Sequence, residues 1–246
     1  MAWRFPSHRS RAGRILRAPL RLLPSGVDLP ILSGPLRGAR WVVESTNVSC
    51  WLGAYESRQL RAIQRHVRRG DVVYDLGAHV GYLSLLFSRL TGEEGVVYAF
   101  EPDEENCGFV RRHLELNGVR NVRIVQTAVS QEVGTATFLR HSSAKGGLHP
   151  DGDQTVSVVS LNAFVASGAP LPDVIKMDIE GAESYALLGA RETLRAKHPI
   201  IFLSTHGVEM HEWCVRFLQG MSYRVTPLGE RGAAHRMEVI ATFEGG

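Results

Sequence analysis

Two stretches of this 246-residue chain carry residues whose types and spacing could do chemistry. The first begins where the apolar run 72–74 ends and follows the order Asp-x-Gly-x-x-x-Gly, given by Asp75, Gly77 and Gly81. Glycines let a loop turn sharply and let a ligand come close to its backbone, and the helical pattern that follows offers unpaired N–H groups at its start. This stretch predicts a strand, a tight loop and a helix that together bind a nucleotide or nucleoside.

The spacing of the loop separates two classes of cofactor. The dinucleotide fingerprint is Gly-x-Gly-x-x-Gly, whereas here the carboxylate of Asp75 precedes the first glycine. A carboxylate repels a pyrophosphate but attracts a cation, and S-adenosylmethionine carries an ammonium and a sulfonium and no phosphate. The loop therefore favours S-adenosylmethionine over NAD. A nicotinamide-dependent oxidoreductase stays open as an alternative, because it uses the same strand, glycine loop and helix.

A further acid, Glu101, ends the apolar strand predicted over 95–100. In other doubly wound folds, an acid at the end of the strand after the glycine loop accepts the ribose hydroxyls of a nucleoside. Gln126, Thr127 and Ala128 follow the third predicted strand, 122–125, and would flank an adenine. The sequence thus predicts a nucleoside site along the ends of three strands.

Four neighbouring residues complete the predicted cofactor site. Ala78 lies in the glycine loop, and Pro102 follows the ribose acid. Tyr55 and Glu56 precede a helical pattern and are placed to cover the cofactor. For these two an equal alternative is that the ring packs in the core and that the carboxylate complements a helix dipole.

The second chemical stretch, 176–183, holds three carboxylates and one lysine in eight residues. A predicted strand delivers Asp178 and Glu180 to its carboxyl end, the edge at which ligands bind in open α/β sheets. A capped helix with Glu183 in its first turn and Lys176 paired to a neighbour explains part of this charge. It does not explain two acids at one strand end.

A histidine, His206, follows the fifth apolar strand, 199–203, at the same edge. Its unperturbed pKa of about 6.5 suits proton transfer at neutral pH. His206 is therefore the predicted general base, and Asp178 is predicted to orient the imidazole or the acceptor. A hydrogen-bonded structural histidine is an equal alternative. A divalent metal on Asp178, Glu180 and His206 is a further one, but the preferred prediction is a site without metal.

The composition of the chain predicts its fold class and its compartment. A hydrophobic content of 44% is enough for a real core, and the alternation of apolar strands with helical patterns predicts an α/β, doubly wound Rossmann-like fold. The three cysteines lack disulfide or zinc spacing, which predicts a reducing cytoplasm. No apolar run reaches the length of a membrane span.

The charge is unevenly placed, with eight arginines and one acid, Asp28, among residues 1–40. We predict a basic, partly amphipathic N-terminal extension over 1–35 and a single catalytic domain over 36–246. The arginines leave open a non-enzymatic alternative, a module that binds nucleic acid or an anionic membrane surface. The preferred prediction has no nucleic-acid partner, and self-association stays open.

The motifs, in this order, resemble those of the FkbM family of S-adenosylmethionine-dependent methyltransferases. The similarity covers roughly residues 36–205. Its strings are Gly53-Ala54-Tyr55-Glu56, Asp75-Leu76-Gly77-Ala78-His79-Val80-Gly81-Tyr82, Phe100-Glu101-Pro102, Leu116-Asn117 and Lys176-Met177-Asp178-Ile179-Glu180-Gly181-Ala182-Glu183. The glycine loop is shared by many methyltransferases, whereas the last string is distinctive.

This resemblance implies a class I methyltransferase sheet of about seven strands, the last antiparallel, with S-adenosylmethionine as cofactor. It also implies O-methylation of a hydroxyl on a sugar, glycan or natural product. Carried over by position, Asp75 and the loop glycines line the methionine end, Glu101 holds the ribose and Asp178 faces the methyl group. Many relatives have a glutamate where this chain has His206, so the family does not supply the base or the acceptor.

Overall fold

A computed structural model of the chain describes residues 26–45, 48–52, 57–141, 145–149, 151–228 and 236–245. Tyr55 and Glu56 lie outside these ranges, so their place above the cofactor stays a prediction. The strands in the described ranges are β1 (Asp28–Pro30), β2 (Arg40–Val42), β3 (Val72–Leu76), β4 (Val96–Phe100), β5 (Val122–Val125), β6 (Ala128–Val129), β7 (Gly134–His141), β8 (Lys145–Leu148), β9 (Gln154–Val159), β10 (Val174–Met177), β11 (Ile200–His206), β12 (Tyr223–Pro227) and β13 (Arg236–Phe243). The helices are α1 (Val48–Leu52), α2 (Ser57–His66), α3 (Tyr82–Thr91), α4 (Glu104–Leu116), α5 (Leu161–Ala166), α6 (Glu183–Gly189), α7 (Arg191–Lys197) and α8 (Val208–Gln219). Across these ranges, no helix combines the length and the apolar character needed to cross a membrane.

A seven-stranded sheet forms the centre of the fold, in the order β12-β13-β11-β10-β3-β4-β5. Neighbouring strands are parallel except for β13, which runs antiparallel to β11 and β12. The predicted class I sheet with its last strand antiparallel is confirmed. From β3 the chain winds outward through β4 and β5, then returns to the other side of β3 as β10. Ligands bind in open α/β sheets at such a switch point, outside the carboxyl ends of the strands.

Both faces of the central strands are apolar, because helices cover both faces. Side chains alternate along a strand, so Val73 packs in the cluster under α2, α3 and α4, whereas Tyr74 packs in the cluster under α5 to α8. Phe202 and Ile201 of β11 divide between the two clusters in the same way. This double burial explains why these strands read as nearly continuous apolar runs.

A second sheet, β6-β9-β7-β8, is inserted between β5 and β10. The sequence predicts only a hairpin here, 135–139 with 155–159, joined by a long loop over 142–154. The hairpin is confirmed, since Thr137 pairs with Thr155. The loop prediction is wrong in part, because β8 lies within it and pairs with β7. The residues of β8, Lys-Gly-Gly-Leu, have little intrinsic strand preference, so only the pairing with β7 defines the strand.

The N-terminal segment packs on the domain. Strand β1 pairs with β2, and Ile31 is 1% exposed in the core. Both lie inside the predicted extension 1–35, so residues 28–31 of that segment belong to the packed structure, and the boundary at residue 36 stays a prediction. A three-residue strand is too short to show a periodic pattern in the sequence.

A buried histidine, His113 of α4, connects this N-terminal hairpin to the glycine loop. Its ring stacks on Trp41, with 3.8 Å between the ring centroids. Its Nε2 accepts the Val42 N–H at 3.1 Å, and its Nδ1 donates to the Val80 carbonyl oxygen at 2.8 Å. Burial lowers the pKa of His113 to about 4. The ring is therefore neutral at neutral pH and bridges two chain segments.

We expect the free energy of unfolding to fall as the pH drops from 6.5 to 4. His113 takes up a proton near pH 6.5 in the unfolded chain but only near pH 4 in the folded one, so its stabilisation is complete above pH 6.5. The loss amounts to about 3 kcal/mol by pH 4. Urea unfolding of the wild type and of His113→Gln at pH 7 and pH 4 measures this term.

The His113→Gln variant should be less stable at pH 7, because the Val42 N–H and the Val80 carbonyl lose their partner, and it should lack this part of the pH dependence. His149→Gln, at an exposed loop histidine, is the matched control and should behave as the wild type does. An equal pH dependence in the wild type and His113→Gln would contradict the assignment.

Candidate active site

An ion pair between the two central strands holds the carboxyl ends of β3 and β10 together. Lys176 of β10 lies beside Asp75 of β3 in the sheet register. Its Nζ is 3.3 Å from Asp75 Oδ1 and donates to the Gly77 carbonyl oxygen at 2.8 Å. Ser84 Oγ donates to Asp75 Oδ2 at 2.6 Å. Because Asp75 is fully buried, it would act on a ligand through the shape of the loop and not by direct contact.

Two loops approach each other closely at Gly77. Its φ of +76° is in the left-handed region, and an added Cβ would overlap the Asp178 carbonyl oxygen. Gly81, with φ of +87°, starts α3 at a point where an added Cβ would lie 3.2 Å from Val110. The predicted glycines are therefore needed to bring the loop after β3 against the strand end that carries Asp178.

The first N–H groups of the glycine loop, those of Gly77, Ala78 and His79, are bonded within the protein. Gly77 and Ala78 both donate to the Phe100 carbonyl oxygen, at 3.0 and 2.9 Å. His79 donates to Glu101 Oε2 at 2.8 Å. A loop that cradles a pyrophosphate needs such groups unpaired and directed at the ligand. These three N–H groups are therefore not available to a pyrophosphate.

The predicted ribose acid, Glu101, follows β4 directly and is 5% exposed. Besides the His79 N–H, its carboxylate accepts the Asp103 N–H at 3.1 Å and the Asn106 side-chain amide at 3.2 Å. Burial raises the pKa of Glu101 to about 7. Three donors fill three of the roughly four acceptor sites of a carboxylate. About one acceptor site is left on the carboxylate, so the role of Glu101 as ribose acid stays a prediction.

The other predicted cofactor residues differ in their access to a ligand. Ala78 is buried in the loop, and Pro102 is half-buried beside Glu101. Thr127 is half-buried between β5 and β6, whereas Ala128 pairs with Val158 and packs in the small core of the second sheet. Of the three residues predicted to flank the adenine, Gln126 is exposed and Thr127 half-buried, whereas Ala128 is buried.

Carboxylates gather around one imidazole at the ends of β10 and β11. His206 is the last residue of β11, and its Nε2 lies 3.3 Å from Glu180 Oε2 and 3.8 Å from Asp178 Oδ1. Its Nδ1 lies 3.2 Å from Glu183 Oε1. Glu183 is fully buried, whereas the other three side chains are partly exposed. The structure therefore brings the predicted base and Asp178 together and adds Glu183 on the opposite side of the ring.

The backbone around Glu180 shows how this acid is directed. Its φ is +52°, a conformation that residues with a side chain adopt rarely and that is frequent at functional sites. Gly147 of β8 packs on it, since an added Cβ there would lie 2.9 Å from the Glu180 carbonyl oxygen. The second sheet thus borders the cluster of acids.

The carboxylates together raise the pKa of His206. The hydrogen bond with Glu183 is the largest cause, burial opposes it, and the charges of Glu180 and Asp178 add to it. Three possible metal ligands also meet here. Asp178, Glu180 and His206 each offer one ligand atom, and these atoms lie within 4.8 Å of one another. A cation placed there would compete with the proton on His206.

Two residues of the site are not predicted as functional from the sequence. Lys176 lies inside an apolar strand, and only the register of β10 with β3 shows that Asp75 is its neighbour. Glu183 has the sequence position of an ordinary acid in the first turn of a helix. No spacing rule relates Glu183 to His206, because the two meet only when α6 packs beside β11.

Comparison with known proteins gives a family for the chain. The model of the methyltransferase FkbM domain matches residues 75–225. The chain is similar to the hexuronic acid methyltransferase AglP of Haloferax volcanii, with 25% identity over 63% of this chain and 64% of that protein. It is also similar to the 31-O-demethyl-FK506 methyltransferase FkbM of Streptomyces tacrolimicus, with 36% identity over 37% of this chain and 36% of that protein. The chain spans less than two thirds of the length of these relatives.

A solved structure supports the fold. The methyltransferase FkbM of Methylobacillus flagellatus KT has a TM-score of 0.52 and 18% identity with the chain. The match covers 70% of this chain and 43% of that one. At this level of identity the likeness concerns the architecture, which is the class I methyltransferase fold.

Removing the cation between β3 and β10 should destabilise the protein strongly. Lys176→Met leaves the buried Asp75 carboxylate without its partner, and we expect a loss of about 3–5 kcal/mol in the free energy of unfolding. The control, Lys197→Met, removes a more exposed pair with Asp173 and should cost less than about 1 kcal/mol. Urea unfolding at pH 7 compares the two, and equal losses would show that the buried pair is not a special constraint.

Proposed function

Because this chain belongs to the FkbM methyltransferase family, we propose that it is an S-adenosylmethionine-dependent methyltransferase acting on a hydroxyl of a sugar, glycan or natural product. The observation that carries the proposal is the carboxyl edge of the sheet. There a glycine loop, whose Gly77, Ala78 and His79 N–H groups are bonded within the protein, lies beside a buried acid and a carboxylate–imidazole cluster. The arrangement suits a cationic nucleoside better than a dinucleotide.

The residues at the switch point fit this cofactor. Glu101 keeps an acceptor site for a ribose hydroxyl, and Gly77 lets the loop after β3 lie directly against the backbone of Asp178. The partly exposed carboxylate of Asp178 provides negative charge for the methionine end. Nicotinamide dinucleotides would meet a loop whose Gly77, Ala78 and His79 N–H groups are already bonded, which argues against the oxidoreductase alternative.

Proton transfer is the main chemical task left to the protein. S-adenosylmethionine supplies a methyl group that its sulfonium already activates, so alignment of the acceptor accounts for much of the rate. The acceptor hydroxyl loses its proton as the new bond forms. His206 is the proposed base, with Nε2 on the side of Asp178 and Glu180. Asp178 is proposed to orient the acceptor oxygen.

The charge of the cluster favours a neutral acceptor group. One relative is named for a hexuronic acid and another for 31-O-demethyl-FK506. A carboxylate entering between Asp178, Glu180 and His206 would meet like charges, and each unit pair at 4 Å costs about 4 kcal/mol near a protein surface. A hydroxyl avoids this repulsion and uses the base, so we propose a hydroxyl acceptor.

The cluster also allows a variant in which a divalent cation polarises the acceptor. Asp178, Glu180 and His206 offer oxygen and nitrogen ligands in reach of one another. In the preferred mechanism His206 binds no metal and accepts the proton of the acceptor hydroxyl. Methyl transfer that survives exhaustive chelation supports the proton mechanism, and loss of transfer that Mg²⁺ restores supports the metal variant.

Binding of the cofactor can be measured without knowing the acceptor. We expect calorimetric titration of the full chain to show binding of S-adenosylhomocysteine and no binding of NAD, because the loop amides are already bonded. Glu101→Gln should weaken S-adenosylhomocysteine binding by roughly tenfold, since a charged acceptor of a ribose hydroxyl is lost. Glu104→Gln, on the exposed start of α4, is the control. Binding of NAD alone would refute the proposed function.

Loss of the base should affect turnover and spare the cofactor. We expect His206→Ala to lower methyl transfer by about a hundredfold or more while S-adenosylhomocysteine affinity stays within about twofold. Transfer is followed as label from methyl-tritiated S-adenosylmethionine on a panel of monosaccharides and polyketides. Unchanged turnover in His206→Ala would remove His206 from the reaction.

A further inference from the structure

We propose that Glu183 is a positioning residue that fixes the tautomer and orientation of His206, so that Nε2 is the atom that takes the acceptor's proton. The inference rests on the proposed function for its catalytic meaning. It assigns to Glu183 a role beyond that of an acid in the first turn of α6. Orientation of the imidazole, predicted from the sequence as one option for Asp178, is assigned to Glu183 instead.

The geometry around Glu183 is that of a built contact. The side chain is fully buried, and Oε1 lies 3.2 Å from His206 Nδ1. Both carboxylate oxygens also accept the Gly181 N–H, at 3.2 and 3.1 Å. The N-terminal end of α6 favours negative charge at this place. The carboxylate is thus held from the side of its own helix and presents one oxygen to the imidazole.

The tautomer of neutral His206 follows from which carboxylates can reach water. An ionised carboxylate only accepts hydrogen bonds, so the ring nitrogen that faces Glu183 must carry a hydrogen to make one. If Nε2 carried it instead, a lone pair would face a buried carboxylate, which has no water to replace the lost bond. Glu180 on the other side is 30% exposed, so water can solvate it. The Oδ1 atom of Asp178 is buried, but at 3.8 Å from Nε2 it lies beyond hydrogen-bond distance. Nδ1–H toward Glu183 is therefore the favoured form.

This choice leaves the reactive lone pair where a substrate would be. With the hydrogen on Nδ1, the lone pair of Nε2 points to the side of Asp178 and Glu180, at the carboxyl edge of the sheet. The base is then oriented by a third group, as in other sites where a carboxylate holds an imidazole.

Several groups face His206 from the elements around it. Asp178 and Glu180 approach from the loop after β10, and Glu183 from α6. Cys214 of α8 lies near Glu183, and burial raises the pKa of its thiol to about 12, so it is neutral. Arg236 of β13 is paired with His206 in the strand register. The hydrogen bond with Glu183 is the largest cause of the raised pKa of His206.

The test begins with the wild-type full chain. NMR of isotope-labelled histidine, at a pH high enough for His206 to be neutral, should show hydrogen on Nδ1; His206→Ala identifies the signal. Hydrogen on Nε2 would overturn the proposal without any variant of Glu183. This readout needs neither cofactor nor acceptor, so a failure of S-adenosylhomocysteine binding would count against the proposed function and not against the positioning.

Glu183→Gln keeps the shape of the side chain and removes its charge. We expect the neutral ring to become a mixture of tautomers and kcat to fall by roughly tenfold to a hundredfold, with KM and S-adenosylhomocysteine affinity within about twofold. Retained affinity shows that the variant is folded. Glu192→Gln, in an exposed pair with Arg195, is the matched control and should change none of these quantities. An unchanged tautomer or unchanged kcat in Glu183→Gln would refute the role.

A double-mutant cycle separates positioning from a general structural effect. If Glu183 acts through His206, Glu183→Gln should have no further effect on kcat in the His206→Ala background. Additive losses would mean that Glu183 acts by another route. Should Glu183→Gln fail to fold, Glu183→Asp, which keeps the charge but withdraws the carboxylate, takes its place and should likewise mix the tautomers.

Discussion

The buried ion pair between Lys176 and Asp75 is the constraint on which the rest of the site depends. It joins the two strands between which the winding of the sheet reverses, and the same ammonium holds the Gly77 carbonyl oxygen. A buried charge without its partner is costly, so neither residue tolerates loss of the other. The loop after β3 is fixed against Asp178 as a consequence, and only glycine at position 77 permits that approach.

The acids around this ion pair differ in how far hydrogen bonds and burial already occupy their carboxylates. Asp75 is buried, pairs with Lys176 and accepts a hydrogen bond from Ser84, so it stabilises the scaffold. The carboxylate of Glu101 is largely occupied by hydrogen bonds from the protein, and burial raises its pKa to about 7. It therefore has limited capacity to accept a hydrogen bond from a sugar hydroxyl. Asp178 and Glu180 stay partly exposed beside His206. The carboxylates thus range from buried and structural to partly exposed and accessible. This range is consistent with binding of a cationic cofactor and proton transfer at the carboxyl edge of the sheet.

Parts outside the central sheet complete the walls of the site. The N-terminal hairpin reaches the glycine loop through His113, which binds Val42 and Val80 at once. The second sheet lies against the backbone of Glu180 through Gly147. Both contacts are made to backbone atoms at close range. Changes in these two peripheral segments would therefore shift the loops that carry the acids.

The sequence by itself determined the class of the sheet, the glycine loop, Glu101 at a strand end, and the shared edge of Asp178 and His206. These features are local, because strand ends, glycines and apolar periodicity can be recognised within short stretches of sequence. Only the tertiary structure decided that Asp75 is buried against Lys176, that Glu183 holds His206, and that β1 and β8 are strands. Each of these depends on register or packing between segments far apart in the chain, and side-chain contacts of that kind leave no spacing pattern in the sequence.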